Sequence, residues 1–271
     1  MQIGNRLFET EKHTYIMGIL NVTPDSFSDG GKFRRLDQAL FHVERMIKEG
    51  ADLIDVGGES TRPGHQQISE EEEIQRISPI VEQVKARFDI PVSIDTYKAR
   101  VAMAAVNAGA DLINDIWGFK YDGQMAGIVA KAGIPCCLMH NRSQAGYQDL
   151  MGEMAADLQE SLEIAARAGI PKDRIILDPG IGFGKDYRDN LEAISKLGEL
   201  GKLGYPMLLG TSRKSVIGLT LDLPVTERVE GTLVTTTFAV LSHCAFVRVH
   251  DVKENKRAVQ MAEAIRDGWQ G

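Results

Sequence analysis

The stretch Lys48–Gly58, KEGADLIDVGG, decides the fold. A helix-like tail stops at Gly50, and a short apolar run follows at once. The same phrase returns as NAGADLINDIWG (Asn107–Gly118), KAGIPCCLMHN (Lys131–Asn141) and ARAGIPKDRIILDPGIG (Ala166–Gly182). Gly50, Gly109, Gly133 and Gly169 suit the left-handed residue that ends a helix. The apolar runs are too short for helices and read as strands buried on both faces. Strands are expected at Tyr15–Leu20, Leu53–Val56, Val92–Asp95, Leu112–Asn114, Pro135–Met139, Ile175–Asp178, Met207–Gly210 and Phe246–Val249. Helical patterns separate them: Leu36–Lys48, Glu71–Phe88, Lys98–Ala108, a short one near Gln124–Lys131, Met151–Ala168, Asn190–Leu200, Arg228–Ser242 and Glu254–Asp267. Strict alternation implies a parallel sheet, and eight strands suggest closure into a (β/α)8 barrel. An open doubly wound sheet is the rival, weakened by the lack of a Gly-rich dinucleotide turn after the first strand. The first dozen residues are expected to form a small hairpin or plug at the barrel bottom.

A closed barrel of this kind takes about 250 residues, so one domain over residues 1–271 accounts for nearly the whole chain. The formal net charge of −7 argues against nucleic acid and anionic membranes as partners. It also requires any anionic substrate to be met by a local basic cluster. No apolar run is long enough for a membrane span, and the charged start has no signal-peptide core. Cys136 and Cys137 are neighbours in an apolar strand and must point to opposite faces, so with Cys244 they read as free buried thiols. These features point to the cytoplasm.

Chemistry in such a barrel sits where the strands end. The first strand ends in Asn21, the second delivers Asp55 and then Gly57–Gly64, and the third ends in Asp95. The fourth ends in Asn114–Asp115, the fifth in Met139–Arg142, the sixth in Asp178 and the seventh in Gly210–Lys214. The eighth carries Arg248 and His250 on one face. Asp95, Asn114 and Asp178 form an acceptor set that fits a flat heterocycle with an amino-guanidine edge. A plainer reading makes the two aspartates helix caps. Lys214, Arg248 and His250, with Arg62, form a basic set suited to an anion. The long loops after the first two strands, rich in Gly, Ser, Thr and Pro, read as binding loops. Gly180–Lys185 lacks the spacing of a phosphate-binding loop, and neither a zinc signature nor a nucleophile triad is evident.

GILNVTPDSFSDGG (Gly18–Gly31), GGESTRPG (Gly57–Gly64), DPGIGFGK (Asp178–Lys185), GTSRKS (Gly210–Ser215) and RVHDV (Arg248–Val252), in that order, resemble the dihydropteroate synthase family. The resemblance runs from Met17 to about Ala264. It implies a magnesium-assisted transferase of folate biosynthesis, a target of sulfonamides and generally a homodimer. The reaction joins 4-aminobenzoate to 6-hydroxymethyl-7,8-dihydropterin pyrophosphate, giving 7,8-dihydropteroate and pyrophosphate. It further implies that Asp95, Asn114, Ile116, Met139, Asp178, Phe183 and Lys214 bind the pterin. Asn21, Thr61, Arg62, Arg248 and His250 would meet the pyrophosphate, with Asn21 as the Mg²⁺ ligand. Thr61, Arg62, Pro63, Ser215 and Phe33 or Phe27 would shape the aminobenzoate pocket. Asp95, Lys214, Arg248 and Asn21 are the expected catalytic residues. A methyltetrahydrofolate-dependent methyltransferase on a similar barrel is the alternative, and a non-catalytic pterin-binding paralogue a third reading. The apolar stretch Gly231–Val249 fits a partner surface as well as an internal core.

Overall fold

The structure is a computed structural model describing residues 1–22, 32–59 and 67–268, the side chains of 32–35 aside. It opens with an antiparallel hairpin, β1 (Gln2–Ile3) and β2 (Arg6–Leu7). Strands and helices then alternate: β3 (Tyr15–Asn21), α1 (Lys32–Glu49), β4 (Leu53–Gly57), α2 (Glu70–Arg87), β5 (Val92–Asp95), α3 (Ala99–Asn107), β6 (Leu112–Asp115) and α4 (Met125–Ala132). The second half runs β7 (Cys136–Met139), α5 (Leu150–Arg167), β8 (Ile175–Asp178), α6 (Tyr187–Ser195), α7 (Leu197–Gly201), β9 (Leu208–Leu209), α8 (Ser215–Leu221), α9 (Val229–Leu241), β10 (Phe246–Val249) and α10 (Val252–Asp267). The eight barrel strands lie in the order β8-β7-β6-β5-β4-β3-β10-β9, and every pair between them is parallel. A parallel bridge between Leu177 and Met207 joins the two ends, with the Leu177 N–H donating to the Pro206 carbonyl at 2.9 Å. The sheet is therefore a closed barrel, and the open doubly wound alternative is set aside.

The phrase that opens the sequence reading ends its helices as expected. Gly50, Gly109, Gly133 and Gly169 have φ of 102°, 105°, 67° and 83°. Two expectations need correction. The helix over Asn190–Leu200 is two pieces, broken at Lys196, whose φ of −109° and ψ of 19° are not helical. The first piece starts earlier, because Asp186 and Asp189 form a reciprocal capping box. The segment between the last two strands holds α8 as well as α9.

The strand pleat explains where polarity begins. Met17, Leu53, Leu112, Cys137, Ile176, Leu208 and Phe246 point into the barrel and pack with Ile3 and Phe8, so the hairpin plugs the bottom. Burying each large apolar side chain is worth about 1.5–3 kcal/mol. Cys136 packs instead in the outer layer between sheet and helices, opposite its neighbour. Two residues further along β4, β6, β7, β8 and β10 the inward side chain comes from Asp55, Asn114, Met139, Asp178 or Arg248, and at this height beyond β9 Gly210 leaves space. The lower layer is a sealed apolar core, and the next layer is the mouth.

Candidate active site

Arg248 stands at the centre of the mouth. Its Nε donates to Asp55 Oδ2 at 2.6 Å and one Nη to Asp95 Oδ2 at 2.6 Å. Asn114 Nδ2 approaches the same Asp55 oxygen at 3.4 Å. The other carboxylate oxygens, Oδ1 of Asp55 and of Asp95, are buried with no partner among the described residues, as is Asn114 Oδ1. Leaving a buried polar atom unpaired costs about 1–3 kcal/mol. Three such acceptors in one cluster are a demand for N–H donors from a ligand.

Asp178 supplies the opposite wall. Its Oδ1 accepts from the Gly180 N–H at 2.7 Å, a turn contact and not a helix cap. Asp95 caps no helix either, since Lys98 holds the N-cap position of α3. Gly210 lies between the walls. A Cβ there would lie 3.8 Å from Asp178 Oδ2, 3.8 Å from Arg248 Cβ and 3.9 Å from Lys214 Nζ. Lys214 donates to the Ile181 carbonyl at 2.6 Å and lies 4.8 Å from the centre of the Phe183 ring. Ile116 and Met139 form a small buried apolar cluster with Tyr97, and Phe183 and Trp117 pack on it. The expected pterin residues thus converge, with apolar surface beside the acceptors.

The electrostatics follow from burial. Burial raises the carboxyl pKa of Asp95, against the pull of Arg248, and that of Asp178, against the pull of Lys214. Burial lowers Lys214 to about 8, with Asp178 opposing. Burial also disfavours the charge on Arg248, but Asp55 and Asp95 outweigh it and keep the guanidinium protonated.

Other expected residues fall at the rim. His250 shares a mutual contact with Ser212: its N–H donates to Ser212 Oγ at 3.1 Å, and its Nδ1 lies 3.0 Å from the same oxygen. Asn21 ends β3 beside β4, and a Cβ on Gly57 would lie 3.7 Å from Asn21 Oδ1 and 3.7 Å from Asp95 Cβ. Ser215 is exposed at the first position of α8. Thr61, Arg62, Pro63 and Phe27 lie outside the described residues, as does the side chain of Phe33.

The separation of an acceptor wall from a basic wall does not hold at Arg248, which is tied to two carboxylates. Asp55 belongs to the site although the acceptor set omitted it. Its signal was present, because it occupies the same pleat position as Asn114 and Asp178. Lys185 and His140 also contribute, and their contact joins residues 45 positions apart, which no local pattern announces.

A family model described as pterin binding enzyme matches residues 17–250. A dihydropteroate synthase of Clostridium beijerinckii is 60% identical over 98% of this chain and 99% of its own length. The chain belongs to the dihydropteroate synthase family of pterin-binding enzymes. Solved dihydropteroate synthases agree with it in shape. One from Clostridium difficile, crystallised in the presence of pteroic acid, has a TM-score of 0.94 at 49% identity, covering 96% of this chain and 99% of its own. One from Yersinia pestis in complex with a sulfonamide drug has a TM-score of 0.93 at 43% identity, covering 99% of each chain. As a dihydropteroate synthase family member the chain is a transferase of folate biosynthesis, and the methyltransferase alternative falls away. Among the described residues no helix is long and apolar enough to cross a membrane.

Proposed function

We propose a division of labour for the condensation that dihydropteroate synthases carry out, in which the two ends of the barrel mouth hold the two ends of the pterin pyrophosphate. The unpaired oxygens of Asp95 and Asn114, with Asp178, carry this reading. They accept from the amino-guanidine edge and ring N–H groups of the pterin. Lys214 donates to the ring carbonyl and ring nitrogen, while Ile116, Met139 and Phe183 cover the ring faces. Arg248, His250 and Asn21 receive the pyrophosphate, with Thr61 and Arg62 from the second loop.

Asn21 offers one neutral oxygen at the rim, and among the described residues no cluster of three or more His, Cys, Asp or Glu could hold a metal ion. Such a sparse donor set fits a Mg²⁺ that arrives with substrate phosphates and keeps most of its waters. When bound it neutralises charge on the leaving group.

The C–O bond to pyrophosphate breaks first, and the pair of electrons leaves with the pyrophosphate. The positive charge on the methylene spreads into the dihydropterin ring, where the Asp95 carboxylate stabilises it. The aryl amine of aminobenzoate then attacks with its lone pair, the C–N bond forms, and the amine proton is released. The Ser215 hydroxyl holds the aminobenzoate carboxylate, and Thr61, Arg62, Pro63 and Phe33 close its pocket.

Turnover with labelled aminobenzoate and pterin pyrophosphate, with and without Mg²⁺, tests this assignment. The expected result is labelled dihydropteroate and pyrophosphate in equal amounts, with Mg²⁺ accelerating both. Slow pyrophosphate release without aminobenzoate is expected from the departure-first order. A strict requirement for aminobenzoate before any release would favour concerted displacement.

We infer a cytoplasmic homodimer. Three buried free thiols suit a reducing compartment. Val234, Phe238 and Leu241 form one exposed face of α9, and Met261 and Ile265 continue it on the neighbouring α10. Sedimentation at the mass of one chain would refute the dimer.

A further inference from the structure

Lys185 is half-buried in the loop that follows β8 and takes no part in the chemistry assigned above. Its ammonium makes three contacts: His140 Nδ1 at 2.7 Å, the Gly180 carbonyl at 3.1 Å and the Phe183 carbonyl at 3.1 Å. An ammonium has no acceptor, so His140 Nδ1 must accept and the imidazole proton lies on Nε2. That Nε2 donates to Asp157 Oδ2 at 2.9 Å, on α5. Asp157 also takes Arg142 Nε at 2.6 Å, and Arg142 reaches Glu153 at 2.7 Å. Burial first, and Lys185 second, lower His140 to about 3, so the ring is a neutral connector. Burial alone would strip Lys185, whose pKa is drawn down to about 7; Asp178 works against that.

The loop held by this chain of contacts carries the pterin end of the site. Gly180 N–H fixes Asp178 Oδ1, the Ile181 carbonyl fixes Lys214 Nζ, and Phe183 supplies a ring face. The same loop is pinned from the other side, where Tyr147 Oη donates to the Gly184 carbonyl at 2.7 Å. At Gly180 the approach is so close that a Cβ would run into the His140 carbonyl oxygen. We propose that Lys185, through His140 and Asp157, is a positioning residue that clamps the loop Gly180–Gly184 and so sets Asp178, Lys214 and Phe183 for the pterin.

The clamp acts on one substrate only. The groups it orders all face the pterin, while the aminobenzoate end is built from the second loop and Ser215. The inference rests on the pterin pocket assigned above. Lys185→Met should weaken binding of 6-hydroxymethyl-7,8-dihydropterin pyrophosphate at least tenfold by calorimetry. The KM for aminobenzoate at saturating pterin should stay within threefold. His140→Leu should do the same, and the double variant should lose no more than about the larger single loss, because both cut one chain. Lys185→Gln, which keeps N–H donors and removes the charge, should fall between. Should Lys185→Met not fold, Lys185→Gln and His140→Leu carry the same comparison. Unchanged pterin affinity in the folded variants, equal losses for both substrates, or single losses that multiply in the double variant would overturn the clamp. Lack of pterin affinity in the unaltered chain would instead overturn the pocket on which it rests.

Discussion

At Arg248 one side chain is asked to serve two ends of the reaction. It already bridges Asp55 and Asp95, each at 2.6 Å, before any pyrophosphate enters. Breaking a buried charge pair by removing one partner costs about 3–5 kcal/mol, because the other charge is left uncompensated. Arg248→Ala should therefore lower thermal stability somewhat, and it should weaken pterin pyrophosphate far more than the free pterin in parallel titrations. Equal losses on both ligands would remove Arg248 from the pyrophosphate. The titration of the mouth follows from the same groups. In the proposed reaction Asp95 acts as an anion, and burial raises its pKa, so activity should fall on the acid side at a pH above the usual carboxylate range. Lys214 is proposed to act as an ammonium and is lowered by burial to about 8, so activity should fall again as pH rises through about 8. The kcat/KM profile, which reads the free enzyme, should be bell-shaped with its basic limb there. A Lys214→Arg variant that moves only the basic limb upward would identify the group.

Strands and helices were legible where the pattern was repeated, and less so where chemistry broke it. The glycine-ended helix followed by a buried run marks β4, β6, β7 and β8, and short apolar runs between helical patterns mark the other four barrel strands to within a few residues. The period-two pleat then carries β4, β6, β8 and β10 from the apolar layer to Asp55, Asn114, Asp178 and Arg248 at the mouth. Asp95, Asn114, Asp178 and Lys214 stand out in the sequence because each lies at the end of its own strand or in the loop beyond it. Asp55 was passed over because its role depends on Arg248, 193 residues away. Lys185 was set aside with a false phosphate-loop pattern, since its side-chain partner His140 follows a different strand. The break at Lys196 falls on a residue that favours helix, and the local cue is Gly198 just beyond it. Gly180, by contrast, is needed twice over. Its φ of 67° is costly for other residues, and its face lies on the His140 carbonyl. Gly180→Ala should lower stability by more than about 1 kcal/mol in urea unfolding, since an alanine forced to positive φ costs that much before any clash. It should also weaken pterin binding. A variant with unaltered stability would show that the loop after β8 is not held as tightly as its contacts require.

Across the whole molecule, the barrel separates tasks by height. The hairpin and the lower inward layer close the bottom with apolar contacts, including Ile3, Phe8 and Phe246. The helices bury the outer face of the same strands. The unpaired carboxylate and amide oxygens of Asp55, Asp95 and Asn114 stand above these layers, at the mouth. The family match over residues 17–250 spans this arrangement from β3 to the end of β10, leaving the hairpin and α10 outside. That division agrees with the physical one: the matched region builds the mouth, and the plug only seals it. The central claim is that the acceptors at the mouth hold the pterin, and Asp178→Asn tests it with almost no change in volume. Calorimetric titration with the pterin pyrophosphate should show affinity reduced at least a hundredfold, with an unchanged thermal midpoint for the free protein. Near-normal affinity in a folded variant would contradict the account.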